Sequence, residues 1–141
     1  KLKKEHIELS LFIDPSKEMI QAASKLNAQW IELHTGLYAN IYAMLFSNLS
    51  RSAHSIKALE LDRNALHVKL EDAIQVLQNS ATTAHLLGLK VAAGHGLNYQ
   101  NVKAITLIEE IIELNIGQSI IARSVFVGFE NAVKEMIGLL K

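Results

Sequence analysis

Residues 7–13 read IELSLFI, with apolar Ile7, Leu9, Leu11 and Ile13 at every second position. That period of two predicts a half-buried β-strand. Asp14-Pro15 follows, and an aspartate N-cap with proline in the first helical position predicts a helix over SKEMIQAASKLN, residues 16–27. WIELHTG (30–36) repeats the alternation and predicts a second strand closed by Thr35-Gly36. A long, mostly helical connection spans about 37–87, and Gly88 is placed to stop its last helix. LKVAAG (89–94) predicts a third strand and NVKAITLIEEI (101–111) a short helix. ELNIGQSII (113–121) contains a fourth strand, and SVFVGFENAVKEMIGLLK (124–141) predicts a final helix.

Strands separated by helices call for a parallel sheet with right-handed crossovers. The class is α/β, with four βα units in one domain over residues 1–141. This pattern suits a small doubly wound sheet or half of a β/α barrel.

In parallel sheets covered on both faces, strands read as near-continuous apolar runs, so polar interruptions are informative. Ile31 and Leu33 share one face of the second strand, which puts Glu32 and His34 on the other. By the same alternation Ser10, Phe12 and Asp14 oppose the aliphatic side of the first strand, and Asn115 and Gly117 oppose Leu114 and Ile116. Polar groups from three strands therefore meet near the C-terminal end of the sheet, where α/β enzymes place their chemistry. The third strand ends there in Gly94-His95-Gly96. Glu32 is expected to need a hydrogen-bonding partner, because an unpaired buried carboxylate is costly. Gly94, Gly96 and Gly117 let the backbone approach a ligand, and the NIGQS turn opens a helix whose N-terminal amides suit phosphate. A glycine turn of this kind is, by itself, a weak signal.

Composition narrows the partners. Half of the 141 residues are hydrophobic, enough for a core, and 14 basic residues balance 14 acidic ones. That balance gives no electrostatic footprint for nucleic acid or an anionic membrane. The absence of cysteine removes disulfides and thiolate metal sites and suits a cytoplasmic location. No apolar run approaches the length of a membrane span, and the first residues lack the pattern of a signal peptide. The chain opens on Lys1 without a methionine and soon enters a strand, a start expected of a piece cut from a longer polypeptide.

The segments SLFID, IELHTGLYA, GLKVAAGHGLNYQNV and ELNIGQSIIARSVFVGF, in this order and spacing, resemble the C-terminal half of the pyridoxine 5′-phosphate synthase family. The resemblance covers nearly the whole chain, is weakest over about 41–70, and rests on the combined HTGxYA and AGHGLxYxNV motifs. It implies the second half, (βα)₄, of a TIM-type (β/α)₈ barrel. The implied reaction condenses 3-amino-2-oxopropyl phosphate with 1-deoxy-D-xylulose 5-phosphate, giving pyridoxine 5′-phosphate, phosphate and water. It also implies no metal or organic cofactor, small phosphorylated substrates as partners, and a homo-octamer built from dimers. His95 matches the family's proton-donating histidine, and Glu32 a carboxylate that stabilises cationic or hydrated intermediates. Gly96 and the Gly117-Gln118 pair match positions that bind the amino-ketone phosphate. Gln118 departs from the histidine often found there. A glutamine still donates a hydrogen bond but carries no charge. The general-base histidine and glutamate of the family's first half are absent from these 141 residues, so the chain alone is expected to be inactive.

Other residues carry blander expectations. His34 either orients Glu32 or is a buried, satisfied imidazole. His54, His67 and His85 are expected to be exposed, and His6 inert. Glu109 and Glu110 read as a solvated helix end, Lys90 as lying at the wrong strand end for a Schiff base, and Trp30 and Phe12 as core. Tyr38 either closes over the site or packs beneath the long connection. Ile41, Tyr42, Met44, Leu45 and Phe46 suggest packing against a lid or a neighbouring subunit. Two competing functions remain at this level: another phosphate-binding β/α-barrel isomerase or aldolase, and a non-enzymatic half-barrel scaffold.

Overall fold

A computed structural model describes residue 5 and residues 7–140. His6 lies outside the described residues. Four strands, β1 (Ser10–Ile13), β2 (Trp30–His34), β3 (Lys90–Gly94) and β4 (Ile111–Asn115), form one parallel sheet in the order β1-β2-β3-β4. The intervening helices are α1 (Lys17–Lys25), α2 (Gly36–Phe46), α3 (Arg63–Leu86) and α4 (Val102–Ile105). After β4 come α5 (Gln118–Val127) and α6 (Phe129–Leu139). A doubly wound sheet must reverse its strand order to place helices on both faces. This order never reverses, so crossovers of the usual hand fall on a single face.

Burial follows that geometry. Ile31, Leu33, Val91 and Ala93 are buried with Ile20 and Ala23 of α1 and Leu77, Ala81 and Ala84 of α3 in one hydrophobic core. The opposite face carries rows set by the register. Phe12, Glu32, Ala92 and Glu113 are aligned in one row, and His34, Gly94 and Asn115 in the next toward the C-terminal end. Phe12 is 50% exposed there.

Several element boundaries differ from the sequence reading. Helix α1 is capped by Ser16, whose Oγ accepts from the Met19 N–H at 3.3 Å, rather than by Asp14. The Asp14 carboxylate is instead engaged by His34. Helix α4 is four residues long, not eleven. Ile105, Ile108 and Ile111 mimic a helical stripe, but Ile105 and Ile108 are core residues flanking a turn and Ile111 already begins β4. Strand β4 thus starts two residues before the expected ELN, and a bulge accommodates the extra residue, since Val91 aligns with Ile111 and Ala92 with Glu113. The single C-terminal helix expected over 124–141 is two helices, broken at Gly128, whose φ is 82°.

The long connection comprises α2, two short 3₁₀ turns (Leu49–Arg51 and Lys57–Leu59) and α3. Ile41, Met44 and Leu45 are buried in the chain's own core, so these three do not serve an external lid or neighbour. His54 and His85 are exposed, but His67 is only half-exposed and packs edge-on against Phe46 at 5.8 Å. Glu110 is not a free helix end. It sits in the turn before β4 and accepts from Thr82 Oγ1 at 2.8 Å and Gln78 Nε2 at 3.2 Å. The Thr82 hydroxyl, foremost among its partners, holds this carboxyl below its ordinary range.

Candidate active site

Glu32 and His34 project from the C-terminal part of β2 on the face opposite Ile31 and Leu33, as the alternation predicts. Glu32 is half-buried rather than buried, and it has a partner: Asn115 Nδ2 donates to Oε2 at 2.9 Å. Its other oxygen lies over the Gly94 backbone, so closely that a Cβ at position 94 would collide with Oε1. Gly94 is therefore needed for the carboxylate to occupy this place, one row from His95.

His95 follows immediately with φ 78°, a left-handed conformation uncommon for a residue with a side chain. The surrounding loop fixes it. The Thr35 hydroxyl, fully buried, lies 2.5 Å from the Gly94 carbonyl and 2.6 Å from that of His95, and the Thr35 N–H donates to the Gly94 carbonyl at 2.8 Å. Asn101 Nδ2 donates to the Gly96 carbonyl at 3.0 Å, while its Oδ1 accepts from the Asn98 N–H at 2.8 Å. Ser119 Oγ donates to the Leu97 carbonyl at 2.9 Å, tying the loop to the first turn of α5. His95 thus stands on a pinned turn rather than in a loose connection.

Tyr38 packs beneath this loop instead of closing over the site. It is 2% exposed, and its hydroxyl donates to the Asn101 carbonyl at 2.7 Å. Burial, with a smaller contribution from Tyr42, pushes its pKa up to about 12.

His34 does not orient Glu32. Its Nδ1 lies 3.1 Å from Asp14 Oδ1, and its Nε2 sits over Gly36, where an added Cβ would come within 2.6 Å. Nor is Phe12 a core residue. Its ring stacks on the His95 imidazole with centroids 4.6 Å apart and planes at 29°, and meets His34 edge-on at 5.1 Å. The alternation along β1 already turns Phe12 and Asp14 to the open face, whereas Thr35 and Asn101, which pin the turn, carry no such signal in the sequence.

Gly117 precedes α5 and Gln118 is its first residue; both are exposed. The helix has no side-chain cap, and its first backbone bonds run from Ile120 and Ile121 to the Gly117 carbonyl. The amides of Gln118 and Ser119 lie ahead of those bonds, in the part of a helix that suits an anion. Lys90 sits at the N-terminal end of β3, far from this chemistry in the register, and bonds Glu8 at 3.1 Å. Trp30, in the row below Glu32, donates its Nε1 proton to Glu8 at 2.8 Å. Among the described residues, no three His, Asp or Glu side chains gather as a metal site, and no helix is long and apolar enough to cross a membrane.

Residues 1–141 match the family model described as pyridoxal phosphate biosynthesis protein PdxJ. The chain is 57% identical over 140 residues to a protein of Sulfurovum sp. named pyridoxine 5′-phosphate synthase, covering 99% of this chain and 54% of that protein. Proteins of the same name from Aliarcobacter butzleri and Nitratiruptor sp. are 58% and 60% identical over 141 and 136 residues, covering 54% and 51% of their own lengths. The chain spans about half the length of the curated relatives it matches. By the match over residues 1–141 and these identities, the chain belongs to the PdxJ family.

Proposed function

We propose that the chain is the C-terminal half of a pyridoxine 5′-phosphate synthase. In this reading its sheet is half of a TIM-type (β/α)₈ barrel, and the open face becomes the barrel interior. The reaction is the condensation of 3-amino-2-oxopropyl phosphate with 1-deoxy-D-xylulose 5-phosphate to pyridoxine 5′-phosphate, phosphate and water. The observation that carries the reading is the convergence of Glu32, His95 and the Gly117-Gln118 turn at one end of an open sheet face, in a chain close to proteins of that name.

His95 supplies the proton that ring closure requires when an oxygen leaves as water or phosphate. Among the described residues no side-chain hydrogen bond occupies its ring nitrogens, which leaves both for substrate. Glu32, steadied by Asn115, lies where a carboxylate would offset positive charge developing on a bound intermediate. The amides of Gly96 and of the first turn of α5 hold the phosphate of the amino-ketone substrate. Gln118 would add a neutral donor there.

Two further features concern assembly and location. Among the described residues no strand pairs with the outer edges of β1 and β4, and Ile121, Val125, Phe126 and Phe129 form an exposed apolar set on α5 and α6. Such surface favours contact with further polypeptide. We assign the first contact to the N-terminal half, with homo-octamer formation from dimers and a cytoplasmic location as part of the same reading. The test is product formation by the full-length polypeptide carrying His95→Asn. Loss of most synthesis with an unchanged circular dichroism spectrum is expected, and near-normal turnover would overturn the assignment.

A further inference from the structure

The imidazole of His95 is exposed and carries no protein hydrogen bond among the described residues, yet proton transfer requires a defined orientation. The pinned loop sets the direction of its Cα–Cβ bond but leaves its side-chain torsions free. Two rings limit them. Phe12 stacks on the imidazole at 4.6 Å, and His34 meets it edge-on at 5.1 Å with planes 86° apart. His34 is held in turn by Asp14 at Nδ1, and its Nε2 lies over the Gly36 backbone.

We infer that Phe12 and His34, the latter anchored by Asp14, are positioning residues for His95, orienting its imidazole by ring contact alone. The inference rests on the synthase reading, in which His95 gives up a proton. Histidines in active sites are often aligned by a carboxylate bonded to the far nitrogen, which also stabilises the protonated ring. Because a nearby carboxylate favours the protonated ring, it makes that ring a weaker acid, whereas orientation by ring contact does not. In this site the carboxylate of Asp14 goes to His34, and His95 receives only rings. The same arrangement explains a large apolar side chain on the open face of β1, in a row otherwise made of Glu32, Ala92 and Glu113. Phe12 is there for the imidazoles and not for the core.

The experiment compares Phe12→Leu, Phe12→Tyr and His34→Gln in the full-length polypeptide, with His95→Asn as a reference. Phe12→Leu and His34→Gln should each lower kcat by about ten-fold or more, with KM for both phosphorylated substrates held within about two-fold. Phe12→Tyr, which restores the ring, should recover most of the turnover lost in Phe12→Leu. The His95 ring-proton resonances, displaced by the ring current of Phe12, should shift in Phe12→Leu and return in Phe12→Tyr. His34→Gln removes a ring but keeps a donor for Asp14, and reads the same orientation should Phe12→Leu fail to fold. Unchanged kcat in the folded variants overturns the inference. So does a loss of kcat that follows melting temperature, or unmoved His95 resonances. If His95→Asn kills turnover while these variants do not, only the positioning role falls. If His95→Asn is itself active, both readings fall.

Discussion

Glu32 and Gly94 occupy neighbouring strands so closely that the carboxylate fills the space a Cβ at position 94 would need. This contact makes the first prediction. Gly94→Ala in the full-length polypeptide should push the carboxylate away from Asn115 and from the turn bearing His95. Overpacking of this kind costs about 1–3 kcal/mol, and a displaced catalytic group costs on the order of 10²-fold in turnover. Denaturant titration and steady-state kinetics on one preparation check both. Wild-type kinetics would show that Glu32 need not sit where it does.

Thr35 is the buried link between β2 and the histidine turn, with its hydroxyl on the Gly94 and His95 carbonyls. Thr35→Val keeps the shape and removes the donor. The expected destabilisation is about 1–3 kcal/mol, the cost of leaving buried acceptors under-satisfied. Hydrogen exchange of the 94–101 loop should quicken more than that of α3, because the lost bonds are local to the turn.

Tyr38 gives a pH-dependent signature. Burial raises its pKa in the folded state to about 12, above the value of about 10 for an exposed tyrosine. The folded chain then holds the phenolic proton more tightly than the unfolded chain does. The corresponding stability is complete below about pH 10 and is lost as pH rises toward 12. Tyr38→Phe should flatten the dependence of unfolding free energy on pH over that interval. An equally steep alkaline loss in the variant would assign the effect to another group.

Gln118 is exposed at the start of α5, and among the described residues the amides of Gln118 and Ser119 have no partner. If those amides do the binding, Gln118→Ala should change KM for 3-amino-2-oxopropyl phosphate by less than about three-fold, under the 1.4 kcal/mol that marks a ten-fold effect. A ten-fold rise would assign phosphate recognition to the side chain.

The sheet and the Glu32 side of the site were legible because alternation in WIELH fixes which residues face the helices and which do not. LKVAAG was legible as a strand, and Gly94-His95-Gly96 as its end, from the run of small and apolar residues. Phe12 reads as core because it is an aromatic ring on a strand, although the alternation turns it away from the aliphatic side, and its imidazole partners emerge only in three dimensions. Asp14 reads as a helix cap because Asp-Pro supplies that local chemistry. The tertiary contact with His34, twenty residues away, takes the carboxylate, and Ser16 caps instead. The split of the last helix was hidden by VFVGF, where apolar residues on both sides of Gly128 sustain a helical pattern through the break. The fold of the 37–87 connection was legible as helix but not as core, since burial of Ile41, Met44 and Leu45 depends on where α3 lies.

In the proposed function these 141 residues supply half of a synthase's active site and require the other half to work. The most direct test is the rate of pyridoxine 5′-phosphate formation from the two phosphorylated substrates, measured for the 141-residue chain and for the full-length polypeptide. Sustained product formation by the full-length protein and none by the chain alone is expected. Product from the chain alone, or none from the full-length protein, would contradict it.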